Sequence, residues 1–232
     1  MYQKMRSEVF VAVVLLSFLP LELGAQAVVE NYTSVTDDRL INPEEHNWLS
    51  YRGTLDGWGY SKLDQINDTN IDELQPVWSF STGVLGGHES PPIVNDGVMF
   101  ITTPGNFLYA IEAATGDLLW RYQHNLPENY IAFHRTNRGV ALYGDKVYMA
   151  TLDARVIALD ATTGEKVWDT PVQDNSFGYY ITMAPLAIDG KILVGTSGGE
   201  LGIRGFVVAL DAESGTEAWR TYTVPGLSLI HI

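Results

Sequence analysis

Apolar and polar positions along this chain alternate in short runs. Val98-Met99-Phe100-Ile101 follows the turn residues Asn95-Asp96-Gly97. Lys146-Val147-Tyr148-Met149 follows Gly144-Asp145, and Lys191-Ile192-Leu193-Val194 follows Asp189-Gly190. Short β-prone runs bounded by Gly, Asn and Asp predict hairpin strands. Helical periodicity is almost absent, so the chain reads as all-β.

A longer pattern overlies the short one. Ala110-Ile111-Glu112-Ala113-Ala114-Thr115-Gly116 leads to Trp120, and Ala158-Leu159-Asp160-Ala161-Thr162-Thr163-Gly164 leads to Trp168. Ala209-Leu210-Asp211-Ala212-Glu213-Ser214-Gly215 leads to Trp219. Leu74 to Trp78 reads as the tail of an earlier, degenerate copy. The tryptophans at 78, 120, 168 and 219 are 42, 48 and 51 residues apart, a spacing suited to propeller blades. Each Thr/Ser-Gly predicts a turn, and the segment through each Trp predicts the strand after it. One such unit cannot bury both its faces, so neighbouring sheets must stack on it. The expected fold is a partial β-propeller of about four blades. Asp160 and Asp211 lack the alternating ligands of a calcium loop and are expected to cap turns. The tryptophans are expected to pack between blades.

The copies differ in one place. From turn Asp to repeat Trp the first copy runs 24 residues and the second 23, but the third runs 30. The surplus falls in Gly195-Thr196-Ser197-Gly198-Gly199-Glu200-Leu201-Gly202-Ile203-Arg204-Gly205. Glycines beside a carboxylate suit close backbone approach to a ligand. No helix-opening glycine fingerprint and no Gly-Lys-Ser/Thr loop accompanies them, which argues against nucleotide binding. The residues alone leave two readings open here, a ligand site and a long turn.

Composition adds limits. Of 232 residues, 46% are hydrophobic, ample for a core, and the formal charge is -14. So acidic a surface repels phosphate backbones, and nucleic acid is not an expected partner. With no cysteine, thiol catalysis, Cys-bound zinc and iron–sulfur chemistry are excluded for this sequence. Lys4 and Arg6 precede the apolar run Val9 to Leu21, and Leu23-Gly24-Ala25-Gln26-Ala27 supplies small residues. This predicts a secretory signal over 1–27, cleaved after Ala27. The run is shorter than the ~20 residues that span a bilayer, so the mature chain is expected to have no membrane span.

Taken together, Ser197 to Gly205, the Trp repeats and Thr136-Asn137-Arg138-Gly139 resemble the quinoprotein alcohol dehydrogenases. This is the methanol/ethanol dehydrogenase family, which uses pyrroloquinoline quinone (PQQ). The resemblance runs from about Asn47 to Gly226. It implies an eight-bladed propeller with PQQ near the axis beside a calcium or lanthanide ion. Position by position, it implies that Glu89, Arg138, Thr182, Ser197, Gly198 and Gly199 bind PQQ and that Glu200 ligates the metal. These types suit a tricarboxylate: a forked Arg, neutral donors, glycines that admit a flat ring, and a carboxylate for a hard cation.

The resemblance further implies a small alcohol as substrate, a c-type cytochrome as electron acceptor, a periplasmic location and a homodimer as a possible assembly. Many members carry adjacent cysteines before Asn-Arg-Gly, where this chain has Ala132 and Phe133. Phe133 or its neighbours are expected to cover the cofactor ring instead. The family's catalytic aspartate, its asparagine ligand and its stacking tryptophan lie beyond the matched region. The chain is therefore expected to be an N-terminal part (28–226) with an atypical apolar tail (227–232), inactive alone. A non-catalytic propeller scaffold of the outer-membrane assembly type and a quinoprotein acting on sugars or polyols are the alternatives. His88, His124 and His134 show no metal-ligand spacing.

Overall fold

The computed structural model describes residues 28–226. The expected signal with its cleavage point, and the tail 227–232, lie outside the described residues. Among the described residues, twelve strands form three antiparallel sheets of four. The first blade comprises β1 (Ile93–Asn95), β2 (Val98–Thr103), β3 (Phe107–Glu112) and β4 (Leu118–Gln123). The second comprises β5 (Val140–Tyr143), β6 (Lys146–Ala150), β7 (Arg155–Asp160) and β8 (Lys166–Pro171). The third comprises β9 (Leu186–Ile188), β10 (Lys191–Gly195), β11 (Phe206–Asp211) and β12 (Glu217–Tyr222). The all-β propeller reading holds. Three blades are complete among the described residues.

The turns follow from their residues. Asp96 and Gly97 both have positive φ (48° and 82°), as do Asp189 and Gly190 (48° and 67°). These are type I′ hairpin turns, whose twist matches that of the strands they join. Each Asp that opens a Thr/Ser-Gly turn caps it. Asp160 Oδ1 accepts from Thr162 N and Thr163 N at 2.9 Å each, and Asp211 Oδ1 from Ser214 N at 2.8 Å.

One joint links the blades, three times over. The indole N–H of Trp78, Trp120 and Trp168 donates to the carbonyl of Ala113, Ala161 and Ala212, at 3.0, 3.1 and 3.0 Å. Each ring lies flat on a turn glycine of the next copy. A Cβ built on Gly116, Gly164 or Gly215 would sit 2.7 Å from the ring of Trp78, Trp120 or Trp168. Trp78 therefore occupies the joint expected of an earlier copy. Its own segment, Leu74 to Phe80, joins no sheet. Trp120 is fully buried, whereas Trp219, with no following copy among the described residues, is 41% exposed.

Residues 28–49 form a strap that the sequence pattern does not foretell. It runs across the end of the sheets where first and second strands meet. Val29 N donates to Thr162 O (3.0 Å), Val35 pairs with Gly144, and Trp48 pairs with Val94. A short helix, α1 (Asp37–Ile41), is capped by the Thr36 side chain. Asp37 accepts from Tyr143 Oη (2.7 Å) of the second blade and Asp189 N (2.7 Å) of the third. Among the described residues, no helix is long and apolar enough to cross a membrane.

Candidate functional site

In an antiparallel four-stranded blade, the second-to-third turn and the connections between blades share one end. The strap lies at the other. Glu89, Arg138 and Thr182 precede the first strands of the three blades in order, and Ser197 to Glu200 lie between β10 and β11. All the expected site residues therefore occupy the same end.

Four of them form one continuous line. Arg138 Nη2 meets Glu89 Oε2 at 2.9 Å, and Arg138 Nη1 donates to Thr182 Oγ1 at 2.6 Å. Thr182 Oγ1 lies 3.4 Å from Ser197 Oγ. Backbone bonds tie the same segments, with Arg138 N donating to Thr182 O (3.0 Å) and Ser197 N to Tyr180 O (2.8 Å). The line crosses from the lead of the first blade to the long loop of the third. Glu89 and Arg138 keep 46% and 38% of their side chains exposed, so the line is covered on one side only.

Gly198 shows why the loop needs glycine. Its φ is +115°, and a Cβ there would fall 2.1 Å from Gly178 O. Gly199, Glu200 and Leu201 then make a single 3-10 turn that puts the Glu200 carboxylate at the surface. The buried hydroxyl of Tyr180 feels that charge. Burial chiefly raises its pKa, and Glu200 raises it further. Thr196 Oγ1 is buried with no hydrogen-bond partner, leaving one polar atom beside Ser197 unspent.

Residues to which the resemblance assigns no role hold this arrangement. The Asn137 amide accepts from Gly139 N (3.1 Å) and Thr102 Oγ1 (2.9 Å) and donates to Ala150 O (2.8 Å), which fixes the turn presenting Arg138. Thr136 Oγ1 donates to Gly87 O (3.2 Å) and tethers the Glu89 loop. Asn175 accepts from Ile131 N (2.7 Å) and lies within donating reach of Ile131 O and Tyr179 O (2.8 and 2.7 Å), joining the Phe133 loop to the third blade. A lone Asn in a polar stretch gives no periodic signal, so only the fold reveals these roles.

Phe133 and Glu89 line one cavity of about 500 Å³ together with Tyr130, His134 and Phe107. Phe133 is 59% exposed. Of the histidines assigned no role, His124 pairs with Asp153 at 2.9 Å between the first and second blades. Burial pushes the Asp153 carboxyl up, but hydrogen bonds from His124 and Thr151 outweigh it and leave it below the ordinary value. Among the described residues, no three acidic, His or Cys side chains converge as a metal site.

The group implied by the resemblance can be tested against this geometry. A tricarboxylate needs a cation and hydrogen-bond donors. Arg138 and the Thr182 and Ser197 hydroxyls supply them within one line. A flat ring needs bare backbone, which Gly199 supplies, since a Cβ there would meet nothing within 4 Å. The residues present fit.

Residues 48–224 match the family of PQQ glucose/ethanol/alcohol dehydrogenase β-propeller domains. The chain belongs to this PQQ dehydrogenase family. It is 43% identical over 201 residues to the quinohemoprotein alcohol dehydrogenase ADH-IIG of Pseudomonas putida, covering 83% of this chain and 28% of that protein. The solved structure of ADHIIG from Pseudomonas putida HK5 superposes with a TM-score of 0.79 at 41% identity, covering 84% of this chain and 29% of that one. A europium-containing methanol dehydrogenase superposes with a TM-score of 0.77 at 37% identity, covering 81% and 34%. The chain thus spans about a third or less of the length of these members of the PQQ family.

Proposed function

We propose that this chain supplies the cofactor-binding blades of a periplasmic, PQQ- and metal-dependent dehydrogenase that oxidises small alcohols to aldehydes. The observation that carries the reading is the line Glu89–Arg138–Thr182–Ser197, which runs straight into the Glu200 turn. The names of the relatives, alcohol and methanol dehydrogenases, support the substrate class. The europium-containing relative supports a lanthanide as an alternative to calcium.

Each residue has a part. The Arg138 guanidinium binds one cofactor carboxylate through its planar fork and orients it. Glu89 holds that guanidinium in place and accepts a hydrogen bond from the cofactor. Thr182 and Ser197 donate hydroxyls, and Gly198 and Gly199 offer backbone N–H groups at close approach. Glu200 holds the calcium or lanthanide ion through a carboxylate oxygen. Phe133 covers one face of the ring and keeps water from it. When bound, PQQ and its ion supply a polarised carbonyl that accepts hydride from the alcohol. Electrons leave to a c-type cytochrome. Export of the protein follows from the expected signal over 1–27.

The test is made in the full-length enzyme. Arg138→Ala should weaken PQQ binding about 10- to 100-fold, the loss expected for a charge-assisted contact. Equilibrium dialysis against PQQ would measure it, and unchanged affinity would remove Arg138 from the site. If full-length protein loaded with PQQ and either calcium or a lanthanide fails to reduce a dye with any short-chain alcohol, the proposed function is wrong.

A further inference from the structure

The loop that carries Glu200 is rich in glycine, and glycine leaves a backbone free to wander. Its first anchor is at Ser197, which exchanges backbone bonds with Tyr180 (Ser197 N to Tyr180 O 2.8 Å, Tyr180 N to Ser197 O 3.4 Å). Just beyond, Gly198 packs against the Gly178 carbonyl, and a Cβ on Gly178 would lie 2.7 Å from Leu201 Cδ1. The 3-10 turn of Gly199–Leu201 follows, closed by Leu201 N to Gly198 O (2.8 Å) and ended by Gly202 at φ +75°. One anchor would leave this turn free to swing about Ser197.

A second anchor sits on the far side of Glu200. The Arg204 guanidinium lies 3.9 Å from the centroid of the Tyr222 ring on β12. Its Nε donates to Val224 O at 2.9 Å. Its main chain is held as well: Arg204 N donates to the Tyr179 hydroxyl, which in turn reaches Arg204 O, both at 3.3 Å. Only a planar guanidinium can stack on a ring and donate sideways from Nε at once, and an ammonium cannot. The corresponding turns of the first and second blades, over 104–106 and 151–154, are short and contain no arginine.

We propose that Arg204 is a positioning residue that, by clasping Tyr222 and Tyr179, holds the Glu200 carboxylate at the place where it meets the ion. The inference rests on the reading of Glu200 as a metal ligand. Groups that orient a metal ligand without touching the metal govern affinity strongly.

Terbium(III), a lanthanide whose emission is sensitised by nearby aromatic rings, serves as the probe in PQQ-loaded full-length protein. Affinity comes from titration, and the number of water molecules on the ion from emission lifetimes in H₂O and D₂O. Arg204→Lys should weaken terbium binding about tenfold and add bound water. Tyr222→Leu should act in the same direction. Arg220→Lys is the matched control. Arg220 also stacks, on Phe206 at 4.0 Å, but its guanidinium bonds to Glu217 and to Val172 O (2.8 Å) rather than to the loop. It should change affinity less than about twofold, because its contacts run to Phe206, Glu217 and Val172 and none reaches the Glu200 turn. Equal losses in Arg204→Lys and Arg220→Lys would mean general loosening of the blade and would overturn the proposal. Wild-type binding by Arg204→Lys, with affinity lost in Glu200→Gln, would also overturn it while leaving Glu200 as a ligand. Wild-type binding by Glu200→Gln would reject the ligand reading itself, and the proposal with it.

Discussion

A methyl group on Gly164 would lie 2.7 Å from the Trp120 ring, at a backbone φ of +72°. Both costs apply to Gly164→Ala: a left-handed conformation for an L-residue and an indole driven out of its seat. The substitution should destabilise the chain by about 2–4 kcal/mol, measured by denaturant titration followed by tryptophan fluorescence. A change under about 0.5 kcal/mol would mean that the joint is looser than its geometry. Glu44 gives a second test. Hydrogen bonds from Arg39 and then Asn47 pull its carboxyl from the ordinary 4.5 down to about 2. A depressed carboxylate stabilises the fold fully above 4.5, and that contribution is lost as pH falls towards 2. The side chain is 41% exposed, so solvent screens the pair and the contribution is small. Between pH 5 and pH 2.5 the wild type should lose more stability than Glu44→Gln. Parallel melting curves for the two would remove Glu44 from the account.

At the scale of elements, the strands and their turns could be read from sequence because their causes are local. Asn-Asp-Gly and Asp-Gly choose a hairpin turn within two residues, and the repeated Trp marks the strand after each Thr/Ser-Gly. The line from Glu89 to Ser197 was legible too, but only through family resemblance, since its members lie up to 108 residues apart and share no period. The strap was not legible. Its hold comes from single contacts such as Asp37 with Tyr143 and Asp189, between positions 106 and 152 residues apart. No hydrophobic pattern encodes such bonds. Leu74 to Phe80 shows the reverse. Its Trp was read correctly as a repeat residue, yet a strand also needs a neighbour, and none of the described residues supplies one.

For the whole molecule, exposure decides what the chain can do alone. Trp219 is 41% exposed where its counterpart Trp120 is fully buried, and Tyr222 and Val224 beside it are also exposed. Unpaired strand edges with apolar faces invite association. The line from Glu89 to Ser197 is open on one side. The 232-residue chain, purified alone, should therefore self-associate in light scattering, bind PQQ weakly and fail to reduce dye with alcohols. Robust PQQ-dependent dye reduction by this chain would refute that. The joint between blades carries one more consequence. Each copy asks of its neighbour only a bare glycine and a free carbonyl, and offers one indole in return. A gene segment encoding such a unit can be duplicated without rewriting what surrounds it. Once duplicated, one copy can lengthen a loop while its siblings keep the stack intact, and the stretch between β10 and β11 is longer than its counterparts in the first two blades.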